Sequence, residues 1–417
     1  MRVCKFGGAA LRSAAAFRQA RTIWEADAGR QVMVVSAPGK RAEGDEKITD
    51  LLYACQSAAA DGRGYGHLFD RAAQRFREIA AELGLPAPDD DLRQVYQGLP
   101  GASPAWAASR GEWLCGRLMS RYLELPMIEP ERVIRFDAAG RLMAEETLGL
   151  LRAEIPGPCV LPGFYGADGA GAIRVFPRGG SDVTAALAAA ALNADACENW
   201  KDVAGVYAAD PRLVPDARPV PDMTYRELRA LSLLGAQVLC DEAVAPLRRA
   251  GVPLLVRPFN TPEAPGTRVH AGYGPERRAS AIAVTGRAGI ALRRWERIGG
   301  GGALAETALN AGLPLDRLAA DADALCLTLR RPEAPPAALD ALADRSWRLE
   351  HAASVSVVGE GLSRADAAAR FTAALSGAGL RPLSLHMPPE GLYITAVVEE
   401  ESFPAGIRAA YDAFLRA

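Results

Sequence analysis

The chain lacks the features that are typical of nucleic-acid-binding proteins, membrane proteins and proteins with structural metal sites. Its 48 lysines and arginines are balanced by 50 aspartates and glutamates, so the net charge of −2 attracts neither nucleic acid nor an anionic membrane. Its seven cysteines are scattered, without a CxxC pair or a histidine–cysteine cluster, which argues against a disulfide framework and a zinc site. No signal-like core follows the N-terminus, and no apolar run is long enough to cross a bilayer. These absences predict a cytoplasmic globular protein with neither nucleic acid nor membrane as a partner.

The order of apolar segments predicts two kinds of domain within the 417 residues. The start of the chain reads as a strand, a glycine turn, a helix over 13–28 and the buried strand "VMVV", which is typical of a mostly parallel sheet sandwiched by helices. Beyond about residue 275 the pattern changes to two β-α-β-β units in tandem, typical of ferredoxin-like α+β units. The predicted boundaries are 1–275, 276–348 and 349–417.

A polar pentapeptide, "RGGSD" over 178–182, stands directly before an alanine-rich run. The two glycines permit a sharp turn and close approach of a ligand to the backbone, and Ser181 and Asp182 are good N-cap residues. The run over 185–192 has high helix propensity and predicts a buried helix. A helix N-terminus beside Arg178 suits an anion, although an ordinary loop capping a core helix explains this segment alone equally well.

Other polar residues follow predicted strands or stand in turns. In "KFGG", Lys5 ends the first strand, and the turn at Gly7 and Gly8 lets backbone amides approach a phosphate. Ser36 ends the second strand, at the edge where α/β sheets bind ligands. Glu112 is predicted near the start of a helix that begins at about Gly111, where a glutamate can simply complement the helix dipole. A glycine- and proline-punctuated loop contains "KDVAGVYAADPR".

In this order and spacing, the motifs make the chain resemble the aspartate kinases of the amino-acid kinase superfamily. The resemblance rests on "KFGG", "VVSAPGKR", "ITDLL", "GE", "GFYG", "RGGSD", "ENWKDVAGVYAADPRLVPDA", "TYRELRALSLLGAQVLCDEA" and "VPLLVRPFNTPEAPGT", and it covers nearly the whole chain. It implies a kinase catalytic domain over 1–275 and two ACT-like domains over 276–348 and 349–417. ACT-like units leave a sheet edge to be covered, which predicts a homodimer through these domains.

The resemblance implies ATP-dependent phosphorylation of the L-aspartate side chain to 4-phospho-L-aspartate, the first step towards lysine, threonine and methionine. By resemblance, Lys5 is the cation at the transferring phosphoryl, Asp182 is the carboxylate that organises the site, and Gly7 and Gly8 supply backbone donors. Mg²⁺ is expected with the nucleotide. The remaining nucleotide-binding residues that this predicts are Lys201, Asp202, Tyr207 and Arg212.

The same resemblance predicts how an amino-acid substrate is held. Glu112 suits its ammonium group, and the fork of the Arg178 guanidinium suits a carboxylate. The remaining predicted substrate-binding residues are Ser36, Thr49, Phe164 and Ser181.

Several positions depart from the family pattern. Ala9 and Ala10 replace hydroxyl residues after "KFGG", Lys201 replaces a threonine, and Gln237 and Cys240 replace other residues of the family pattern. Ala9, Ala10 and Lys201 leave open a kinase of a related acidic amino acid in a specialised pathway. A catalytically weak regulatory paralogue ranks last, because Lys5, Asp182, Glu112 and Arg178 are all retained. The turns of the C-terminal units, "GGGG", "AADADAL" and "HMPPEGL", offer few charged groups, which predicts weak or absent inhibition by lysine or threonine.

Overall fold

A computed structural model describes residues 1–177, 179–236, 239, 241–273, 281–311, 315–320, 322–330, 337–362 and 365–416. The chain divides into two compact units. The first unit contains residues 1–206, 221–225 and 239–272, and the second contains residues 207–220, 226–238 and 273–417. Three stretches of the predicted domain 1–275, namely 207–220, 226–238 and 273–275, therefore belong to the second unit. The division into three domains stays a prediction.

Strands and helices are interspersed along the chain up to residue 272. The strands are β1 (Arg2–Phe6), β2 (Arg30–Val35), β3 (Arg135–Phe136), β4 (Cys159–Pro162), β5 (Tyr165–Asp168), β6 (Ile173–Val175), β7 (Ala196–Lys201), β8 (Asp222–Thr224), β9 (Leu254–Pro258) and β10 (Thr267–His270). The helices are α1 (Ala14–Glu25), α2 (Ile48–Ala60), α3 (Gly66–Glu82), α4 (Asp89–Gly98), α5 (Pro104–Leu123), α6 (Pro130–Val133), α7 (Ala144–Glu154), α8 (Gly180–Ala191), α9 (Tyr225–Leu234) and α10 (Asp241–Ala250).

The first unit is built on a seven-stranded sheet in the order β4-β2-β1-β7-β9-β10-β8. The pairs from β4 to β9 are parallel, β10 is antiparallel to β9, and β8 is parallel to β10. Strands β1, β2 and β4 are buried along almost their whole length, as expected where helices cover both faces. The predicted fold, a mostly parallel sheet sandwiched by helices, is confirmed. A small sheet, β3-β5-β6, adds to this unit.

The strand register places four loops at one edge of this sheet. Phe6 at the end of β1 lies opposite Val35 of β2 and Trp200 of β7, and Val35 lies opposite Pro162 of β4. Because the strands are parallel, the loops that follow them all leave from this carboxyl edge, where α/β sheets bind ligands.

The second unit contains a six-stranded sheet in the order β12-β13-β11-β14-β16-β15. Its elements are β11 (Ala283–Glu296), α11 (Gly301–Asn310), β12 (Leu315–Ala320), β13 (Ala324–Leu329), α12 (Ala337–Leu342), β14 (Arg345–Val358), α13 (Ala365–Gly377), β15 (Ser384–His386), β16 (Tyr393–Glu399) and α14 (Phe403–Tyr411). The two predicted α+β repeats are present, and the long strands β11 and β14 pair antiparallel, so that both repeats share one sheet. No helix in the described part of the chain combines the length and apolar character that a membrane span requires.

Candidate active site

The carboxyl edge of the first unit's sheet contains a buried ion pair. Lys5 Nζ lies 2.7 Å from Asp182 Oδ1, and the two side chains are only 9% and 12% exposed. Lys5 belongs to β1, and Asp182 lies in the first turn of α8. The structure therefore brings together the two residues that the sequence analysis assigned to catalysis.

The start of α8 differs from the prediction in one respect. Ser181 and Asp182 are not the N-cap; the cap is Gly179, which has a φ of 58° and a ψ of 27°. A left-handed cap residue favours glycine, and it lets the helix begin earlier than predicted. Asp182 thus lies inside the first turn of α8. Its carboxylate does not cap the helix and instead contacts side chains from β1 and β7.

Two residues of β7 complete the surroundings of Asp182. Asn199 Nδ2 donates to Asp182 Oδ1 over 3.0 Å, and Lys201 Nζ lies 4.0 Å from Asp182 Oδ2. Asn199 lies opposite Lys5 in the register of β1 and β7. Lys201 was predicted from the sequence, whereas Asn199 was not. The signal that could have found it is the pair of polar residues, Glu198 and Asn199, between apolar neighbours in the segment "ACENW".

These neighbours keep the Asp182 carboxylate ionised. Burial raises the pKa of Asp182, but the positive charges of Lys5 and Lys201 and the hydrogen bonds from Lys5 and Asn199 outweigh burial, so that its pKa lies below the ordinary value. The cluster of two lysines and one carboxylate carries a net positive charge at neutral pH. Such a cluster suits an anionic ligand.

The glycine turn after β1 is closely packed. A Cβ added at Gly7 would lie 3.2 Å from Lys5 Nζ, and one added at Gly8 would lie 2.9 Å from the Ala37 carbonyl oxygen. The Gly39 N–H donates to the Gly8 carbonyl oxygen over 2.8 Å. A side chain at either position of the turn would therefore crowd Lys5 or the loop after β2.

Glu112 lies in the middle of α5, which starts at Pro104 with Ser103 as its N-cap. The prediction of a helix start near Gly111 is therefore wrong, and with it the explanation of Glu112 by the helix dipole, whose effect is confined to the first turn. Glu112 is 6% exposed, and its Oε2 is buried without a hydrogen-bond partner. Desolvation raises its pKa to about 7, against hydrogen bonds from the backbone N–H groups of Ala37 and of Glu112 itself and a weaker effect of Lys5.

The loop between β4 and β5 packs directly on the start of α8. A Cβ added at Gly163 would lie 2.6 Å from Ser181 Cβ, and one added at Gly180 would lie 2.8 Å from Phe164 Cα. Phe164 has a φ of 82°, a left-handed conformation that is unusual for a bulky residue. Its N–H donates to Thr184 Oγ1 over 3.2 Å, which ties the strained residue to α8. Phe164 and Ser181, both predicted to bind substrate, therefore belong to one rigid assembly.

The other predicted residues are distributed as follows. Ser36 follows β2 at the carboxyl edge, and Thr49, which lies in the first turn of α2, is partly buried. Asp202 follows β7 and is exposed, whereas Tyr207 and Arg212 lie in the second unit, where Arg212 forms an ion pair with Asp210 at 2.6 Å. Arg178, Gln237 and Cys240 lie outside the described residues.

Among the described residues, no group of three or more His, Cys, Asp and Glu side chains could hold a metal ion. The Asp182 carboxylate is already bound by Lys5 and Asn199. The described residues therefore do not form a site that would hold a divalent cation by protein side chains alone.

Comparison with known proteins identifies the family of this site. Residues 1–258 match the model of the amino acid kinase family. The chain belongs to the amino acid kinase family. It is 34% identical over 287 residues to aspartokinase 3 of Bacillus subtilis, a match that covers 64% of the chain and 63% of that relative. The chain thus spans less than two thirds of the length of this curated relative.

Solved structures extend the family's likeness beyond the kinase part. The aspartate kinase of Clostridium acetobutylicum superposes with a TM-score of 0.91 at 29% identity, over 99% of both chains. Aspartokinase III of Escherichia coli, in complex with aspartate and ADP in its R-state, gives a TM-score of 0.79 over the full length of both chains at 21% identity, which shows a shared fold. The predicted resemblance to aspartate kinases is confirmed by these comparisons.

Proposed function

We propose that this protein transfers the γ-phosphoryl group of ATP to the side-chain carboxylate of L-aspartate, giving 4-phospho-L-aspartate and ADP. The observation that carries the proposal is the buried pair of Lys5 and Asp182, 2.7 Å apart beside the Gly7–Gly8 turn at the carboxyl edge of the sheet. The similarity to aspartokinases supports the substrate, and the bound aspartate and ADP of the E. coli protein support the pair of ligands.

The reaction needs positioning and charge stabilisation more than covalent help from the protein. An oxygen of the aspartate side chain attacks the γ-phosphorus, and the bond from that phosphorus to the β,γ-bridging oxygen breaks. No general base is needed, because a carboxylate is already ionised at neutral pH. Lys5 stabilises the charge on the transferring group, the amides of Gly7 and Gly8 donate to it, and Asp182 holds Lys5 in place.

Recognition of the amino acid requires a partner for its ammonium group. The unpaired, buried Oε2 of Glu112 supports this role, because an ammonium would supply both the missing donor and a compensating charge. Arg178 is proposed to bind a carboxylate through its fork, and this assignment rests on the resemblance. The remaining proposed substrate contacts are Ser36, Thr49, Phe164 and Ser181.

The nucleotide is proposed to bring Mg²⁺ as part of its phosphate complex. Lys201, 4.0 Å from Asp182 Oδ2, is positioned to add a second positive charge near the phosphates. Asp202, Tyr207 and Arg212 are proposed as nucleotide contacts on the resemblance alone. We also propose a cytoplasmic location and a homodimer formed through the C-terminal ACT-like units.

Hydroxamate formation tests the proposed reaction. Purified protein is incubated with ATP, Mg²⁺ and hydroxylamine and with L-aspartate, L-glutamate or other acidic amino acids, each in turn. We expect aspartate to give the highest turnover. A stronger signal with another acidic amino acid would favour the specialised enzyme that Ala9 and Ala10 leave open, and no signal with any would favour a regulatory paralogue.

A further inference from the structure

The apolar face of α3 contains an arginine. Arg75 is 4% exposed and shares the buried face of the helix with Ala72, Phe76 and Ile79. Burial of a guanidinium is unfavourable unless ion pairing and hydrogen bonds offset the loss of its hydration. Its partners therefore indicate why the chain keeps it there.

Arg75 binds two points of the segment that connects β2 to α2. Its Nη1 lies 2.7 Å from Asp45 Oδ2, and its Nη2 donates to the Gly39 carbonyl oxygen. Asp45 in turn accepts from the backbone N–H groups of Arg41, over 2.9 Å, and Glu46, over 3.1 Å. One guanidinium thus fixes both the start of this segment and the turn before α2.

The same segment touches the glycine turn that approaches Lys5. The Gly39 N–H donates to the Gly8 carbonyl oxygen over 2.8 Å, and a Cβ added at Gly39 would lie 2.6 Å from the Gly8 carbonyl carbon. The two glycine backbones are therefore in direct contact. A shift of Gly39 would move Gly8, and with it the turn beside Lys5 Nζ.

We propose that Arg75 is a positioning residue for phosphoryl transfer: it holds the 37–47 segment against the Gly7–Gly8 turn without touching either substrate. The inference rests on the proposed function, because that function gives the turn its role. The segment also joins Ser36 to Thr49, two proposed substrate contacts. The position of this segment therefore affects both the glycine turn beside Lys5 and the proposed substrate contacts.

The geometry requires an arginine. The fork of a guanidinium reaches a carboxylate and a carbonyl oxygen at once, whereas a lysine ammonium is a point charge on a flexible stem. Arg75→Lys should keep the pair with Asp45 but lose the hold on Gly39. Asp45→Asn should weaken the turn before α2, because it removes the negative charge that pairs with Arg75.

The kinetic test compares Arg75→Lys and Asp45→Asn with the control Arg71→Lys. Arg71 lies on the same helix, is 54% exposed and pairs with Glu46, so it shares the neighbourhood but not the contact with Gly39. Because small misplacements at a reacting centre cost up to roughly 100-fold in rate, we expect both test variants to lower kcat about 10-fold or more. The control should stay within twofold, with melting temperatures recorded for all three. Equal kcat in the test and control variants would overturn the proposal.

Hydrogen exchange separates this inference from the proposed function. The Gly39 amide, protected by the Gly8 carbonyl, should exchange at least tenfold faster in Arg75→Lys than in the wild type or Arg71→Lys, while amides of β1 and β7 exchange as before. If the wild type phosphorylates no acidic amino acid, the proposed function fails. Unchanged exchange of the Gly39 amide in Arg75→Lys would separately show that Arg75 does not hold the 37–47 segment in place. Faster exchange of the Gly39 amide with unchanged kcat would overturn the positioning role. Faster exchange of amides throughout the protein would show that Arg75 stabilises the fold in general and does not act locally on the 37–47 segment.

Discussion

Lys5 and Asp182 lie on two elements that are far apart in sequence, yet their Nζ and Oδ1 atoms are 2.7 Å apart in a nearly closed environment. Asn199 contacts the same Asp182 oxygen as Lys5, so this oxygen has both a charged and a neutral partner. The pair therefore presents a fixed cation at the sheet edge, and each of the two buried charges depends on the other for compensation.

Variants of this pair should separate stability from turnover. We expect Lys5→Met and Asp182→Asn each to lower kcat by about 1,000-fold or more, because both act on charge that develops in the transition state. Each single variant also leaves a partner without its counter-charge, which should destabilise the fold. Hydroxamate assays and urea unfolding of both proteins measure the two effects.

The double variant Lys5→Met, Asp182→Asn is the control for this interpretation. It removes both charges, so its free energy of unfolding should exceed that of at least one single variant, while its turnover stays as low. A single variant with near-normal kcat would contradict the assignment of the phosphoryl site.

Much of the fold could be predicted from sequence because its signals are local. The apolar strands "RVCKF" and "VMVV" and the alanine-rich run over 185–192 appear as β1, β2 and α8. The start of α5 was missed although "SP" at 103–104 is a good signal for a helix N-terminus. The pairing of β11 with β14 depends on contacts between distant strand edges, which no local pattern specifies.

In the candidate site, too, local motifs could be recognised in the sequence, whereas contacts between distant residues could not. Lys5, the glycine turn and Asp182 could be predicted because they form recognisable motifs. Asn199 and Arg75 were not predicted, since the role of each depends on a partner from a distant part of the chain, Asp182 and Gly39 respectively.

The affinity for aspartate should depend on the protonation of Glu112, whose pKa burial raises to about 7. The substrate ammonium requires the ionised carboxylate, so the KM for aspartate should rise about tenfold per pH unit below 7, while kcat at saturating aspartate changes little. Kinetics from pH 5.5 to 8.5 measure this. Glu112→Gln should bind aspartate weakly at every pH; a variant that keeps the pH dependence would exclude Glu112 as its source.

The stability of the protein without substrate should also depend on pH through Glu112. The folded pKa of Glu112 is raised from 4.5 to about 7, so the folded state binds the proton more tightly than the unfolded state. The stability that this contributes is complete below pH 4.5 and is lost as the pH rises through 7. Relative to Glu112→Gln, the wild type should therefore lose roughly 3 kcal/mol between these limits. Urea unfolding at pH 4.5, 6 and 8 tests this, and parallel profiles would contradict it.

Lys201 should contribute to turnover through its charge. Its Nζ lies 4.0 Å from Asp182 Oδ2, where it can face incoming phosphates together with Lys5. We expect Lys201→Thr to lower kcat/KM for ATP about tenfold and Lys201→Arg to retain most of it, because the second variant keeps the positive charge. If both variants behave like the wild type in initial-rate measurements, Lys201 has no role in the nucleotide site.

The last prediction concerns assembly through the second unit. The edge strand β15 pairs only with β16 in the described sheet. Leu385 within this strand and Met387 directly after it are 46% and 41% exposed. An uncovered strand edge with apolar side chains favours pairing with a second copy. Light scattering should therefore give twice the chain mass, and Leu385→Glu with Met387→Glu should shift the protein towards monomer. Because the turns of this unit offer few charged groups that could bind an ammonium or a carboxylate, millimolar lysine or threonine should leave turnover within about twofold. A monomeric wild type would refute the assembly, and strong inhibition by either amino acid would refute the prediction about regulation.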